Sequence, residues 1–184
     1  MKKILLTILG IVVASGIFYA ANYAYGLHKY NFTAQSVKGE VSMGDFDGKY
    51  KIVYFGYVFC PDVCPTTLNL VSSVLEDLKV QNLEILFATL DIKRDDVKSC
   101  DEFAKYFYKD STCLVMSESE LERVTKNYGA KYKIIDLNDS VMGYSVAHSS
   151  MIYLFDKNGR FVSEVSNLTY DNVKKEIKNL IKNY

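Results

Sequence analysis

The sequence is poor in several residue types, and each shortage narrows the classes of protein that it can encode. Its 184 residues include no tryptophan, two prolines, two histidines and four cysteines. Lys and Arg together number 22, as do Asp and Glu, so the basic excess typical of nucleic-acid binding is missing. Four cysteines in a chain of this length exclude a disulfide-framework miniprotein. We therefore expect one domain with a substantial core and no nucleic-acid partner.

Charged residues are also missing from Ile4 to Ala21, which follows Lys2-Lys3. As a helix this segment would span roughly 27 Å, close to the roughly 30 Å hydrocarbon core of a bilayer. We predict a transmembrane anchor over residues 1–21, with the preceding lysines in the cytoplasm. A cleaved signal peptide is the alternative, since Ala20-Ala21 would suit a peptidase, but the length of the run favours an anchor. A buried core helix is disfavoured because no polar face interrupts the segment.

Both membrane-related interpretations export the rest of the chain. The start has no arginine and little serine, unlike a mitochondrial transit peptide. We predict a single-pass protein of the bacterial inner membrane, with its soluble domain on the oxidising periplasmic face. Residues 22–40, which include His28, are predicted to form a linker, and residues 41–184 the domain.

The hydrophobic pattern of the domain alternates between strand and helix. Nearly continuous apolar runs predict buried strands over 51–58 and 83–90. Helices are predicted over 66–79, 96–108, 117–128 and 171–183. Shorter strands are predicted over 41–46, 132–135, 151–155 and 161–165, and the last two are joined by a hairpin turn at 157–159. Residues 136–147 are predicted to form a loop or an irregular strand. Two βα units, a hairpin and a final helix predict a thioredoxin-like α/β sandwich, with a central mixed sheet flanked by helices.

Both prolines and two cysteines lie in one short stretch, Cys60-Pro61-Asp62-Val63-Cys64-Pro65. The stretch follows a predicted strand and precedes a predicted helix, so it lies where α/β sheets usually place their chemistry. Residues four apart on a helical turn face the same way, so Cys60 and Cys64 can either close a disulfide or present two sulfurs to one metal ion. A helix N-terminus also favours the thiolate form.

Two thiolates suit a soft ion such as Cu(I), and a third ligand of imidazole type would extend the site to Cu(II). A structural disulfide is the simpler alternative, but so small a loop gains little stability from it. His28 is predicted to be solvated. From its position alone, His148 fits a core role and a ligand role equally well.

The stretch from Phe55-Gly56-Tyr57 to Pro65 resembles the Sco/SenC family of copper-handling, thioredoxin-like proteins. Similar segments follow at Asp91-Ile92-Lys93-Arg94-Asp95, at His148-Ser149, and at 152–156 with 158–162. The resemblance covers roughly residues 40–165, and the predicted anchor agrees with it. It implies that Cys60, Cys64 and His148 bind one copper ion, as Cu(I), Cu(II) or both. It also implies a role in assembling the binuclear copper centre of cytochrome c oxidase subunit II.

The sequence departs from this family at several positions. Ala147 stands where an acidic residue usually precedes the histidine, which would weaken the holding of Cu(II) if that carboxylate supports the histidine. Ile92 and Asp96 replace a usual proline and threonine, and these changes concern loop shape. Cys100 and Cys113 lie outside the family pattern. Free buried thiols are favoured for this pair, with a disulfide as the alternative.

Two functions are compatible with these residues. The first is a copper chaperone. The second is a thiol-disulfide oxidoreductase, in which the more exposed Cys60 attacks a partner disulfide and Cys64 resolves the mixed disulfide. The second function would not require His148. The three-residue spacing between the cysteines, longer than the two of thioredoxins, favours the metal site.

Overall fold

The computed structural model describes residues 2–137 and 140–184. Met1 of the predicted anchor and residues 138–139 of the predicted irregular segment lie outside the described residues. The helices are α1 (Lys2–Tyr30), α2 (Val63–Asp77), α3 (Val97–Phe107), α4 (Glu118–Tyr128) and α5 (Tyr170–Asn183). The strands are β1 (Thr33–Ser36), β2 (Gly39–Ser42), β3 (Tyr50–Gly56), β4 (Leu83–Thr89), β5 (Ser111–Leu114), β6 (Tyr132–Asp136), β7 (Tyr144–His148), β8 (Ile152–Phe155) and β9 (Phe161–Val165).

A mixed five-stranded sheet forms the centre of the domain, in the order β5-β4-β3-β8-β9. Strands β3, β4 and β5 are parallel, whereas β8 pairs antiparallel with β3 and β9. Every residue of β3 and β4 is buried, as their continuous apolar runs predicted. The predicted α/β sandwich with a central mixed sheet is thus confirmed.

Helices cover both faces of this sheet. Helix α2 contacts α3 and α5 on one face. On the other face, the Tyr128 ring of α4 packs against Phe55 of β3 and Tyr153 of β8. Because side chains alternate along a strand, Tyr54 of β3 faces α2 while Phe55 faces α4. The strand that precedes the cysteines is therefore fixed from both sides.

Residues 22–40 were predicted as a linker, and the structure contradicts this. Helix α1 continues to Tyr30, and an antiparallel hairpin of β1 and β2 follows. The Tyr30 ring stacks on Phe161 at 4.7 Å between centroids, and Tyr128 Oη donates a hydrogen bond to the Tyr30 carbonyl. This segment is ordered because its aromatic side chains are buried against the domain, which the turn-forming residues within it did not suggest.

Helix α1 joins the domain at the end of the sheet opposite the cysteines. Phe155, which lies near Tyr30, pairs with Lys51 at the start of β3, whereas the cysteine stretch follows the end of β3. Within α1, residues 8–30 are long and apolar enough to cross a membrane by length and composition. Either a membrane anchor or a signal sequence has these properties.

A disulfide joins Cys100 of α3 to Cys113 of β5. The favoured prediction of two free buried thiols is therefore wrong, and the alternative holds. The sequence pattern did not predict β5, which pairs beside β4 and brings Cys113 beneath α3. The four residues Ser111-Thr112-Cys113-Leu114 begin with two hydroxyl residues and form no apolar run, so neither this strand nor the proximity of the two sulfurs was predicted.

Candidate metal centre

The two cysteines of the stretch lie on different structural elements. Cys60 lies in the turn after β3, and Cys64 lies in the first turn of α2. The helix begins at Val63, three residues before the predicted start, and the Thr66 amide donates to the Asp62 carbonyl at 3.0 Å. Pro65 is compatible with this earlier start because amides in a first helical turn have no intrahelical acceptor.

Both thiols are unbridged and differ in exposure. Cys60 is half-buried, whereas Cys64 is fully buried. The Cys64 amide donates to Cys60 Sγ at 3.4 Å. This contact holds the two sulfurs on the same side of the turn, at the positive end of the α2 dipole.

His148 completes the site from the last position of β7. Its Nε2 lies 3.5 Å from Cys64 Sγ. The other ring nitrogen, Nδ1, lies 3.2 Å from the Ser149 carbonyl oxygen. Since a carbonyl only accepts, Nδ1 carries the proton and Nε2 directs a lone pair towards the sulfurs, as a metal ligand requires.

The ligand atoms of Cys60, Cys64 and His148 all lie within 4.8 Å of one another. A thiophilic ion bound at about 2.3 Å from each donor would hold three donors about 4 Å apart. Two thiolates and an imidazole are donors that copper accepts in both oxidation states. The residues therefore fit one copper ion after a small closing movement.

The two thiols have opposite pKa shifts. A hydrogen bond donated by the Cys64 thiol stabilises the Cys60 thiolate and lowers the pKa of Cys60 to about 4, against burial, with the backbone amides of Asp62 and Cys64 adding to the effect. The same hydrogen bond, together with burial, raises the pKa of Cys64. One proton is thus retained between the sulfurs, and Cys60 is the thiolate of the metal-free protein.

We predict that the rate at which iodoacetamide alkylates Cys60 reaches half its maximum near pH 4, whereas the rate for an ordinary thiol does so at about pH 8.5. The midpoint moves to lower pH because the pKa of Cys60 is lowered, so the reactive thiolate is already present above about pH 4. The rate of modification of the reduced, metal-free protein, followed by mass spectrometry from pH 3 to pH 9, measures the midpoint. The variant Cys64→Ala removes the largest cause of the shift and should raise the midpoint. A midpoint near 8 in the unmodified protein would contradict this prediction.

The site opens into a shallow cavity of about 380 Å³. Cys60 and Pro61 line one side, and Ala147 and His148 line the other. Ala147 is exposed beside the histidine, so the position where the family usually has an acidic residue faces solvent. Cys60 and His148 thus line the open cavity, whereas Cys64 is fully buried behind it.

The structure brings together all three site residues that were predicted, and it places His28 elsewhere, exposed near the end of α1. Sequence reasoning missed Gly56 and Tyr144. A Cβ atom on Gly56 would lie 2.9 Å from Cys64 Sγ, so the absence of a side chain there leaves room for the sulfur. The position of Gly56 at the end of a buried strand was a usable signal. For Tyr144, whose contacts are described below, the sequence offered none.

Comparison with known proteins identifies the family. The model of the family described as SCO1/SenC matches residues 23–182. The chain belongs to the SCO1/SenC family. A SCO2-like protein of Rickettsia prowazekii is 34% identical over 148 residues, which are 79% of this chain and 71% of the relative.

Solved SCO1/SenC structures share the fold. The structure of Arabidopsis thaliana ScoI with copper bound has a TM-score of 0.74 and 28% identity, and the match covers 84% of this chain and 98% of the other. Yeast Sco1 with copper bound has a TM-score of 0.71 and 27% identity, and the match covers 84% of this chain and 88% of the other. The thioredoxin-like arrangement predicted from the order of elements is thereby confirmed.

Proposed function

We propose that this protein is a membrane-anchored copper chaperone. It binds one copper ion through Cys60, Cys64 and His148 and assists assembly of the binuclear copper centre of cytochrome c oxidase subunit II. The observation that carries the proposal is the convergence of two thiols and one imidazole within 4.8 Å at the edge of an open cavity. The family and its copper-bound members support the same assignment.

The three ligands differ in their exposure to solvent, and this difference suits transfer of copper. Buried Cys64 retains the ion while half-buried Cys60 and His148 exchange it with ligands of a partner. Copper binding needs both sulfurs reduced, so a disulfide between Cys60 and Cys64 would prevent loading. The sulfurs are not bonded in the structure, which is the state that can accept the ion.

The proposed location is the outer face of the bacterial inner membrane, with α1 as the anchor. The length and composition of α1 support this placement. The Cys100–Cys113 disulfide also supports it, because structural disulfides persist in oxidising compartments. Since α1 joins the domain at the end opposite the site, the cavity would face away from the membrane.

Thiol-disulfide exchange is the second candidate function, favoured by the low pKa of Cys60. The Cys60 thiolate would attack a disulfide of subunit II, releasing one thiolate and forming a mixed disulfide. Cys64 would then lose its proton and attack Cys60, which releases the second subunit thiol and leaves a Cys60–Cys64 disulfide. Subunit II is reduced by two electrons, and this protein is oxidised by two.

One experiment separates the two candidates. The full chain in detergent, wild type and His148→Ala, is mixed with the copper-free soluble domain of cytochrome c oxidase subunit II. For a chaperone, Cu(II)-loaded wild type should transfer copper to the reduced domain, counted by elemental analysis after the two proteins are separated, and His148→Ala, which should retain Cu(II) poorly, should transfer far less. For an oxidoreductase, metal-free wild type and His148→Ala should release thiols from the oxidised domain equally. Absence of copper transfer from loaded wild type would refute the chaperone function.

A further inference from the structure

The hairpin that carries His148 is not part of the central sheet. Strands β6 and β7 pair only with each other among the described strands. The central ladder therefore fixes the cysteine turn but not the histidine. Because three ligands must converge on one ion, other contacts must hold the hairpin beside the turn.

Arg94 supplies such contacts at the start of β7. Its Nη1 donates to the carbonyl oxygens of Met142 at 3.0 Å and Tyr144 at 3.1 Å. Its guanidinium lies 3.6 Å from the centroid of the Tyr144 ring. Tyr144 precedes His148 by four residues on β7, so their side chains share one face of the hairpin. The position of Arg94 thus fixes the strand that ends at the histidine.

Two buried carboxylates complete this arrangement. Asp91, only 3% exposed, pairs with Arg94 and accepts a hydrogen bond from Tyr144 Oη at 2.6 Å. Asp95, also 3% exposed, accepts hydrogen bonds from the Val58 amide at 2.9 Å and from the Thr89 hydroxyl. We call Asp91, Arg94, Asp95 and Tyr144 the Arg94 cluster.

The Arg94 cluster reaches both halves of the copper site. Asp95 holds the backbone two residues before Cys60, and the Arg94 guanidinium also lies 5.4 Å from the Phe59 ring centroid. The other members hold the hairpin of His148. One five-residue segment at the end of β4 therefore ties the cysteine turn to the histidine.

We propose that Arg94 is a positioning residue that fixes the distance between the His148 imidazole and the two sulfurs. It thereby sets the ability of the site to retain Cu(II). The proposal rests on the copper site of the proposed function. Two thiolates satisfy Cu(I), so its binding does not depend on the hairpin. Cu(II) needs the imidazole as well, and the Arg94 cluster keeps that ligand in place.

The test compares Cu(II) and Cu(I) affinities of Arg94→Gln and wild-type protein by chelator competition, using the reduced full chain in detergent. We expect the Cu(II) affinity to fall about 10-fold or more, the range for groups that orient a metal ligand, with a weakened thiolate-to-Cu(II) charge-transfer band. The Cu(I) affinity should change less than about threefold. Arg94→Lys keeps the charge but loses the planar, forked contacts, so it should not restore Cu(II) binding.

Two controls make the outcome decisive. Arg160→Gln removes an arginine that pairs with buried Asp156 at the opposite end of the sheet, and it should leave both affinities unchanged. Should Arg94→Gln not fold, as judged by thermal unfolding, Tyr144→Phe removes only the hydroxyl contact with Asp91. It should still lower the Cu(II) affinity selectively.

Equal losses of Cu(I) and Cu(II) affinity in Arg94→Gln, or recovery in Arg94→Lys, would overturn the positioning role. The variant His148→Ala separates this result from failure of the proposed site. If His148→Ala loses Cu(II) and Arg94→Gln does not, this inference alone is wrong. If His148→Ala binds Cu(II) as wild type does, the proposed ligand set is wrong, and this inference falls with it.

Discussion

Replacing Cys60 and Cys64 together by serine is expected to abolish copper binding, from about one Cu(I) ion per chain to about zero. Both sulfurs are soft ligands, and a serine hydroxyl is a poor substitute for Cu(I). Cys64 is fully buried, so no water can take the place of its sulfur. Copper retained by the reduced full chain after gel filtration in a competing chelator, counted by elemental analysis, measures the loss.

The other two cysteines offer a matched control. Cys100 and Cys113 are bonded to each other and fully buried, so they have no sulfur available to copper. Replacing both by alanine should leave about one Cu(I) ion per chain. Retention of copper by the Cys60→Ser, Cys64→Ser protein would show that the ion binds elsewhere and would refute the proposed site.

Replacing Gly56 by alanine is expected to disturb both the site and the fold. The added Cβ would lie 2.8 Å from Phe87 Cε2 and 2.9 Å from Cys64 Sγ, which is closer than van der Waals contact allows. Phe87 is fully buried in β4, so its ring has little room to move. We expect the free energy of unfolding to fall by about 1–3 kcal/mol. Because the sulfur must also shift, Cu(I) affinity should fall about 10-fold.

Denaturant unfolding and chelator competition measure these two effects. Gly44→Ala is a suitable control, because the nearest atom to its added Cβ is Ser42 Oγ at 3.9 Å. Its unfolding free energy should stay within about 0.5 kcal/mol of wild type. Wild-type stability and copper affinity in Gly56→Ala would mean that Phe87 and Cys64 can move apart at no cost, and the packing argument would fail.

Much of the fold could be predicted because its signals are local. The buried strands β3 and β4, the helices and the β8–β9 hairpin arise from periodicity and turn residues within short windows. The cysteine stretch was recognisable for the same reason, since both sulfurs and both prolines lie within six residues. The start of α2 was predicted at residue 66, three residues later than its start at Val63.

The segments that were misjudged depend on contacts distant in sequence. Residues 22–40 resemble a linker until Tyr30 is seen packed against Phe161, and Cys113 resembles a free thiol until β5 is paired beside β4. Strand β5 begins with Ser111 and Thr112, so it lacks the continuous apolar run that identified β8, a strand of the same length. In each case packing against the rest of the domain decided the structure.

By itself, the sequence determined the chemistry of the cysteine stretch, because the spacing of Cys60 and Cys64 and the two prolines restrict the backbone locally. Only the tertiary structure showed that His148, which lies 84 residues beyond Cys64, has its imidazole 3.5 Å from the Cys64 sulfur. It also showed that Arg94 donates to carbonyl groups 48 and 50 residues further along the chain. Local preferences act over a few residues, whereas these distances are set by how the strands pair and how the hairpin folds back over the turn.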